Sequence, residues 1–205
     1  VIGDLVVMAD KGWVTEKAAE GWFLAPEGPE LTGAGGYDAA QYVHEGNYFE
    51  VSAAVLTFAW NTGVVPDGLD DYADLLDPSL SGGQIGVIDP SAGSIVDYYW
   101  WLEETFGEEF VEDLAAQEPR IYPSALPIGE ALASGEISAT AYAAPATLDP
   151  AKDNGAPVEY GLSGEGVWGA RYLAMVPDGA THPNAAMLFA NFMLTPTGQE
   201  AIAAG

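Results

Sequence analysis

An α/β fold with a mainly parallel sheet is expected from three features of the chain. Short apolar runs of the kind buried on both sheet faces, "DLVVMAD" and "QIGVID", alternate with segments whose apolar residues recur at helical spacing. Clusters of Gly, Pro, Asn and Asp separate those segments. Apolar residues make up 49% of the 205, and mean hydropathy is +0.09. That is enough to bury a sizeable core in one large domain or two small ones.

In chain order, "DLVVMAD" reads as a short strand ending in a polar turn. "GWVTEKAAEGWFLAP" is a short helix broken at Gly21 and Pro26, and "EGPELTGAGGYDA" is a Gly-rich loop. The run from Phe49 to Trp60 is β-rich and long for a strand, and Asn61-Thr62-Gly63 turns it. "LDDYADLLDPSLSGG" is a short helix and a turn. "QIGVID" is a strand that breaks at "DPSAGS". A helix follows, in which Ile95, Tyr99, Leu102 and Phe106 share one face and Asp97, Glu103 and Glu104 lie off it. Gly107 ends it as a left-handed cap. "EEFVEDLAAQ" and "ALPIGEALASG" are two more short helices, the second stopped by Gly135. In "EISATAYAA", Ile137, Ala139 and Ala141 alternate with Ser138, Thr140 and Tyr142. "APVEYGL" and "ARYLAMV" are strands. "HPNAAMLFANFML" is a helix with Pro183 in its first turn and Ala185, Leu188, Phe189 and Phe192 as its core face. A last short helix is capped by Thr195, with Pro196 at its first position.

The charge bounds the partners. Asp and Glu number 31 against 5 Lys and Arg, a net charge of −26. Such a surface repels phosphate backbones and anionic membranes, so nucleic acid is excluded as a partner. The acids are scattered, as in "LDDYADLLD" and "EETFGEEFVED", which fits a solvated coat over a folded core. A halophilic source and an ordinary acidic protein both account for it. There is no cysteine, hence no disulfide, thiolate metal site or cysteine nucleophile. No apolar run approaches the roughly 20 residues of a membrane helix, and no signal peptide is visible. Because Val1 already lies inside a strand-like segment, an N-terminal portion is expected to precede it.

Four groups of residues could carry chemistry. The first is the joint "DPSAGS", where a strand gives way to a helix. A helix start exposes N–H groups and a positive dipole end, and small side chains let an anion approach. Ser91, Ala92, Gly93 and Ser94 meet that condition. Ser91 as a plain helix cap meets it equally. The second is the histidine pair, His44 and His182, which has no metal-ligand spacing and no nucleophile motif nearby. The third is Arg171, one of only two arginines, beside Trp168 after a Gly-rich turn. It suits either bidentate capture of an anion or a salt bridge to a neighbouring acid. The fourth is a set of aromatics, of which Trp60 and Trp168 flank turns.

"DYADLLDPSLSGGQIGVIDPSAGS", "LASGEISA", "NGAPVEYGLSGEG" and "HPNAAMLFANFMLTPTGQEAIA", in that order, resemble the solute-binding proteins of ABC importers. The nearest branch is the ferric-iron-binding-like group of type II periplasmic binding proteins. The C-terminal segment carries the most specific match, and the resemblance covers essentially the whole chain. It implies a two-lobed α/β fold apparently lacking its N-terminal elements, with residues 1–56 and 171–205 in an incomplete lobe I and 57–170 in lobe II. Phe49–Trp60 and Ala170–Val176 would be the crossing strands, with the ligand in a cleft between the lobes. It further implies export to the periplasm or outside the cell, delivery to a membrane permease, a monomer, no cofactor and no enzymatic activity. The ligand contacts it suggests are Asp10, Trp60, Asn61, Ser91, Ala92, Gly93, Ser94, Tyr142, Trp168 and Arg171.

The cargo expected is a small organic or phosphorylated anion. Ferric members often carry two adjacent tyrosines after the strand equivalent to "ISATAYAAPA", and here Tyr142 is followed by Ala143. Iron, ligated by Tyr142 and completed by a bound anion, is the alternative. A cleft hydrolase using carboxylates and a purely structural surface-layer or adhesion domain are the remaining readings.

Overall fold

The structure is a computed structural model and describes residues 3–91 and 93–204. The chain divides into two compact units, one of Val1–Ala54 with Ala170–Gly205 and one of Val55–Gly169. It passes from one to the other inside two strands, β3 (Tyr48–Asn61) and β8 (Trp168–Met175). Among the described residues, no helix is long and apolar enough to cross a membrane.

In the first unit, β1 (Val6–Met8) pairs antiparallel with β8, placing Val6 opposite Met175. The two-residue β2 (Val43–His44) pairs antiparallel with β3. The alternation of each strand divides its residues between two helices. Tyr48, Leu173 and Met175 pack with Val14 and Ala18 of α1 (Lys11–Ala19). Phe49, Val51 and Ala174 pack with Ala190, Met193 and Leu194 of α7 (Pro183–Leu194). A four-residue helix, α2 (Ala39–Tyr42), precedes β2. The last helix, α8 (Pro196–Ala204), is capped as expected: Thr195 Oγ1 accepts the Gly198 N–H at 3.1 Å.

The second unit holds the parallel core. Here β4 (Ile85–Ile88) pairs parallel with β5 (Arg120–Tyr122) on one side and with β6 (Ala139–Ala143) on the other. All four residues of β4 are buried. The far end of β3 runs antiparallel to β6 and to β7 (Val158–Tyr160). The sheet is therefore mixed rather than mainly parallel. Parallel pairing is confined to strands joined by helical crossovers, and the strands shared by the two units pair antiparallel. Around this sheet lie α3 (Gly93–Phe106), α4 (Glu108–Ala116), α5 (Ala125–Ser134) and α6 (Pro145–Asp153). Gly135 ends α5 in the left-handed region, with φ 76°. Gly107 also has a positive φ, 94°, but an extended ψ of 153°, and it serves as the N-cap of α4. The segment after Gly68 forms two 3-10 turns, 72–76 and 78–80, in place of the expected short helix.

Helix α7 departs from its periodicity. The stripe Ala185, Leu188, Phe189 and Phe192 faces outward, with Leu188 74% exposed. The buried face is Ala186, Ala190, Asn191, Met193 and Leu194. Two alanines let α7 lie close to the sheet, and Asn191 fixes its rotation. The Asn191 Oδ1 accepts the N–H groups of Glu30 at 3.0 Å and Leu31 at 3.4 Å. Its Nδ2 donates to the carbonyls of Glu27 at 2.5 Å and Met187 at 2.9 Å. Gly28 makes room for this side chain: a Cβ there would lie 2.2 Å from Asn191 Nδ2. Asn191→Ala should leave several buried backbone groups unpaired, at roughly 1–3 kcal/mol each. Leu188→Ala, on the outward face, should stay within about 0.5 kcal/mol of the parent. Thermal melts of the two variants check this, with the large drop expected for Asn191→Ala alone.

Candidate ligand-binding site

The joint "DPSAGS" is placed by the centre of the second unit's sheet. Strand β4 ends at Ile88, and α3 begins at Gly93, so the connection spans four residues. The side chain of Asp89 accepts the Ser91 N–H at 2.9 Å, a local turn that sets the direction of the break. Ser91 is exposed and Ser94 is half-buried in the first turn of α3. Ala92 lies outside the described residues. The fold thus puts a helix start beyond the carboxyl end of a central parallel strand, where α/β sheets hold ligands. The carboxylate of Asp89 stands in the same turn, so an anion held there must share it with a like charge.

Two more expected contacts meet at one buried residue. Tyr98, on α3, is 1% exposed. The Tyr142 ring of β6 lies against it at 5.0 Å between centroids and 84° between planes. The Trp168 ring, at the start of β8, lies against it at 5.6 Å and 69°. Tyr98 donates its hydroxyl hydrogen to the carbonyl of Ala141, the residue before Tyr142. Its neighbour Tyr99 donates to the Ile88 carbonyl at 2.6 Å. Both phenols of the adjacent pair are therefore tied to main-chain oxygens. Burial pushes Tyr98 well above the usual tyrosine value and Tyr99 up to about 12. Neither is disposed to become a phenolate ligand.

The remaining expected contacts have structural partners. Asp10 caps α1, accepting the Trp13 N–H at 2.9 Å. Trp60 is buried and stacked on Phe58 at 6.1 Å. Asn61, 3% exposed, donates to the Leu132 carbonyl at 2.7 Å and accepts the Gly63 N–H at 2.9 Å, holding the turn that follows β3. Arg171 forms the salt bridge weighed against anion capture: its Nη1 lies 3.0 and 2.9 Å from the two carboxylate oxygens of Glu50. His44 Nε2 lies 3.0 Å from the same carboxylate. His182 sits on the surface, 2.9 Å from Asp4, whose carboxyl is held below its ordinary value by that hydrogen bond. Among the described residues, no group of three or more His, Asp or Glu side chains is arranged to hold a metal.

Sequence reasoning missed Tyr98 and Glu50, the partners that the structure gives to Tyr142 and Trp168 and to Arg171 respectively. Tyr98 sits one position off the expected helix face, which is turned toward Tyr98, Trp101 and Leu102. Glu50 was one acid among 31. Only the scarcity of arginine pointed toward it.

A helix leaving a central parallel strand, in a mixed sheet whose strands β3 and β8 each run through both units, matches the α/β fold of the type II periplasmic binding proteins. Iron-bound HitA from Pseudomonas aeruginosa is similar over 98% of this chain and 67% of its own, with TM-score 0.78 and 21% identity. AfuA from Actinobacillus pleuropneumoniae, with exogenous fructose-6-phosphate bound, is similar over 97% and 65%, with TM-score 0.77 and 21% identity. Apo ferric ion-binding protein A from Pasteurella haemolytica is similar over 96% and 65%, with TM-score 0.75 and 15% identity. The chain spans about two thirds of the length of each, and at these identities the likeness is one of fold. No curated protein matches the sequence. The chain belongs to the bacterial extracellular solute-binding protein family, whose model matches residues 2–205. That family captures solutes outside the cytoplasm, and its ABC-transporter members hand them to membrane permeases.

The tyrosine environment sets an alkaline limit. A phenol raised by burial contributes stability in full below its unfolded value of about 10, and that contribution is lost as pH rises toward the folded value. For Tyr99 the window runs from about 10 to about 12. Tyrosinate absorbance should therefore rise together with unfolding in that range. Tyr99→Phe should flatten the fall of stability with pH there, as read by denaturant melts across the window.

Proposed function

We propose that this protein captures a small anionic solute, organic or phosphorylated, for delivery to an ABC permease. The carrying observation is the start of α3 at Gly93, directly beyond central strand β4, with Ser91 and Ser94 flanking it. Backbone N–H groups and the two hydroxyls would hold the anionic end, while Tyr142 and Trp168 would face the remainder. The two compact units would be the lobes, close to the expected 1–56 with 171–205 and 57–170. Binding without turnover is expected, by an exported monomer. Fructose-6-phosphate in AfuA supports a phosphorylated cargo as the class to try first.

Ferric iron with a synergistic anion is the second reading, favoured by Tyr142 and by the iron in HitA. In this reading Tyr142 would supply the phenolate, while Tyr98 and Tyr99 keep their hydrogen bonds to main-chain carbonyls. A tyrosinate-to-iron absorption band on adding ferric iron, lost in Tyr142→Phe, would establish this reading over the first.

Native mass spectrometry of the protein as purified is the direct test, since an adduct mass identifies the class of cargo. Gly93→Asp then tests the location. A charge-assisted hydrogen bond is worth roughly 1.5–3 kcal/mol and a partly buried helix dipole up to ~2. Replacing that attraction with a carboxylate should weaken binding by well over about tenfold, each ~1.4 kcal/mol being one decade. The melting temperature should hold, because an acid in a first helical turn is mildly stabilising. Parent-like affinity for fructose-6-phosphate or inorganic phosphate in Gly93→Asp would mean that Ser91 is only a cap.

A further inference from the structure

We infer that Tyr98 is a positioning residue of the binding site, the buried piece that sets the Tyr142 and Trp168 rings for the ligand. The inference rests on the reading of those two side chains as ligand contacts. They come from different strands, β6 and β8, distant in sequence. What they share is the Tyr98 ring, which each meets in an edge-to-face arrangement at 5.0 and 5.6 Å. Such pairs hold their relative angle because the positive ring edge seeks the negative face. Tyr98 is itself held on its remaining sides. Trp101 stacks on it at 6.1 Å, and the Tyr99 ring lies 5.4 Å away.

The hydroxyl adds a second constraint. By donating to the Ala141 carbonyl, Tyr98 fixes the β6 backbone one residue before Tyr142. Thr140 reinforces the same stretch: its Oγ1 accepts the Tyr142 N–H at 3.0 Å and donates to the Gly86 carbonyl of β4 at 2.8 Å. Because burial keeps Tyr98 protonated, it remains a donor throughout the ordinary pH range. Tyr98 also belongs to α3, the helix whose start is the proposed anion site. One element therefore carries the charge-binding turn at its N-terminus and, just over one turn later, the support for the ring contacts.

The test uses the full chain labelled with 5-fluorotryptophan, the Trp168 resonance being assigned through Trp168→Phe. Tyr98→Phe keeps the ring and should leave that resonance in place. Tyr98→Leu, and the closer-sized Tyr98→Met, remove the ring and should move it. Affinity for fructose-6-phosphate should fall by at least about tenfold in the Leu and Met variants and by less in Phe, which keeps the ring and loses only the hydroxyl's hold on the Ala141 carbonyl. Leu148→Ala, a core truncation elsewhere in the same unit, should lower the melting temperature without moving the Trp168 resonance. An unmoved resonance in Tyr98→Leu and Tyr98→Met overturns the inference. Equal loss of affinity in Tyr98→Phe and Tyr98→Leu also overturns it. Unchanged binding in both Tyr142→Ala and Trp168→Ala would instead remove the reading of those rings as contacts, and the fluorine spectrum tells the two failures apart.

Discussion

Strand β4 is paired on both edges and buried on both faces, and the second unit is organised around that constraint. A strand in this position needs apolar side chains in both directions, which Ile85, Val87 and Ile88 supply. It also needs room for its neighbours. A Cβ at Gly86 would lie 2.5 Å from Ile137 Cδ1, so the glycine is what lets the chain entering β6 approach. With β4 fixed, its carboxyl end is fixed, and so are the turn at Asp89 and the direction in which α3 departs. The Tyr99 hydrogen bond to the Ile88 carbonyl and the Thr140 hydrogen bond to the Gly86 carbonyl both terminate on this strand. The candidate site is thus attached to a strand that is buried along its whole length, as its neighbour β6 is.

Several elements were legible because local chemistry and tertiary packing agree there. Gly135 ends α5 where only a residue tolerant of positive φ fits easily, and Thr195 with Pro196 starts α8. Where the two disagree, reading the sequence failed. On α7 the larger apolar residues form an outward stripe, while contact with the sheet is made through alanines and one asparagine. Periodicity weights bulk, but close helix-to-sheet approach favours small residues. Strand β5 is only three residues long, and α6 holds Pro145 and Pro150, so neither carried a clean period.

The site divides in the same way. The break that carries Ser91, Gly93 and Ser94 was legible because a Pro- and Gly-containing polar stretch interrupts the apolar run; its use as an anion site is a proposal. Trp60 and Asn61 were singled out because they meet at the turn that ends a long strand, and the structure gives their side chains roles in the core and in that turn. Arg171 was singled out by rarity, and its observed partner, Glu50, is 14% exposed in the side chain. A largely buried carboxylate needs a cation nearby, and that requirement explains the arginine in so acidic a chain. Tyr98 could not be separated from "DYYWW" by sequence, since adjacent aromatics on a helix differ in role only through burial.

The few basic side chains have a consequence for kinetics. Lys17, Lys152, Arg120 and Arg171, four of the five, are already engaged with carboxylates. Little positive charge is left to draw an anion inward, so the far field of the molecule opposes an anionic solute until it reaches the short-range donors of a helix start. Encounter should then be slow in dilute buffer and quicken as salt shortens the reach of the repulsion, about 30 Å at 0.01 M but only about 8 Å at physiological strength. The usual sign of electrostatic steering is inverted: for this protein, a salty surrounding would act as the gate that admits the ligand.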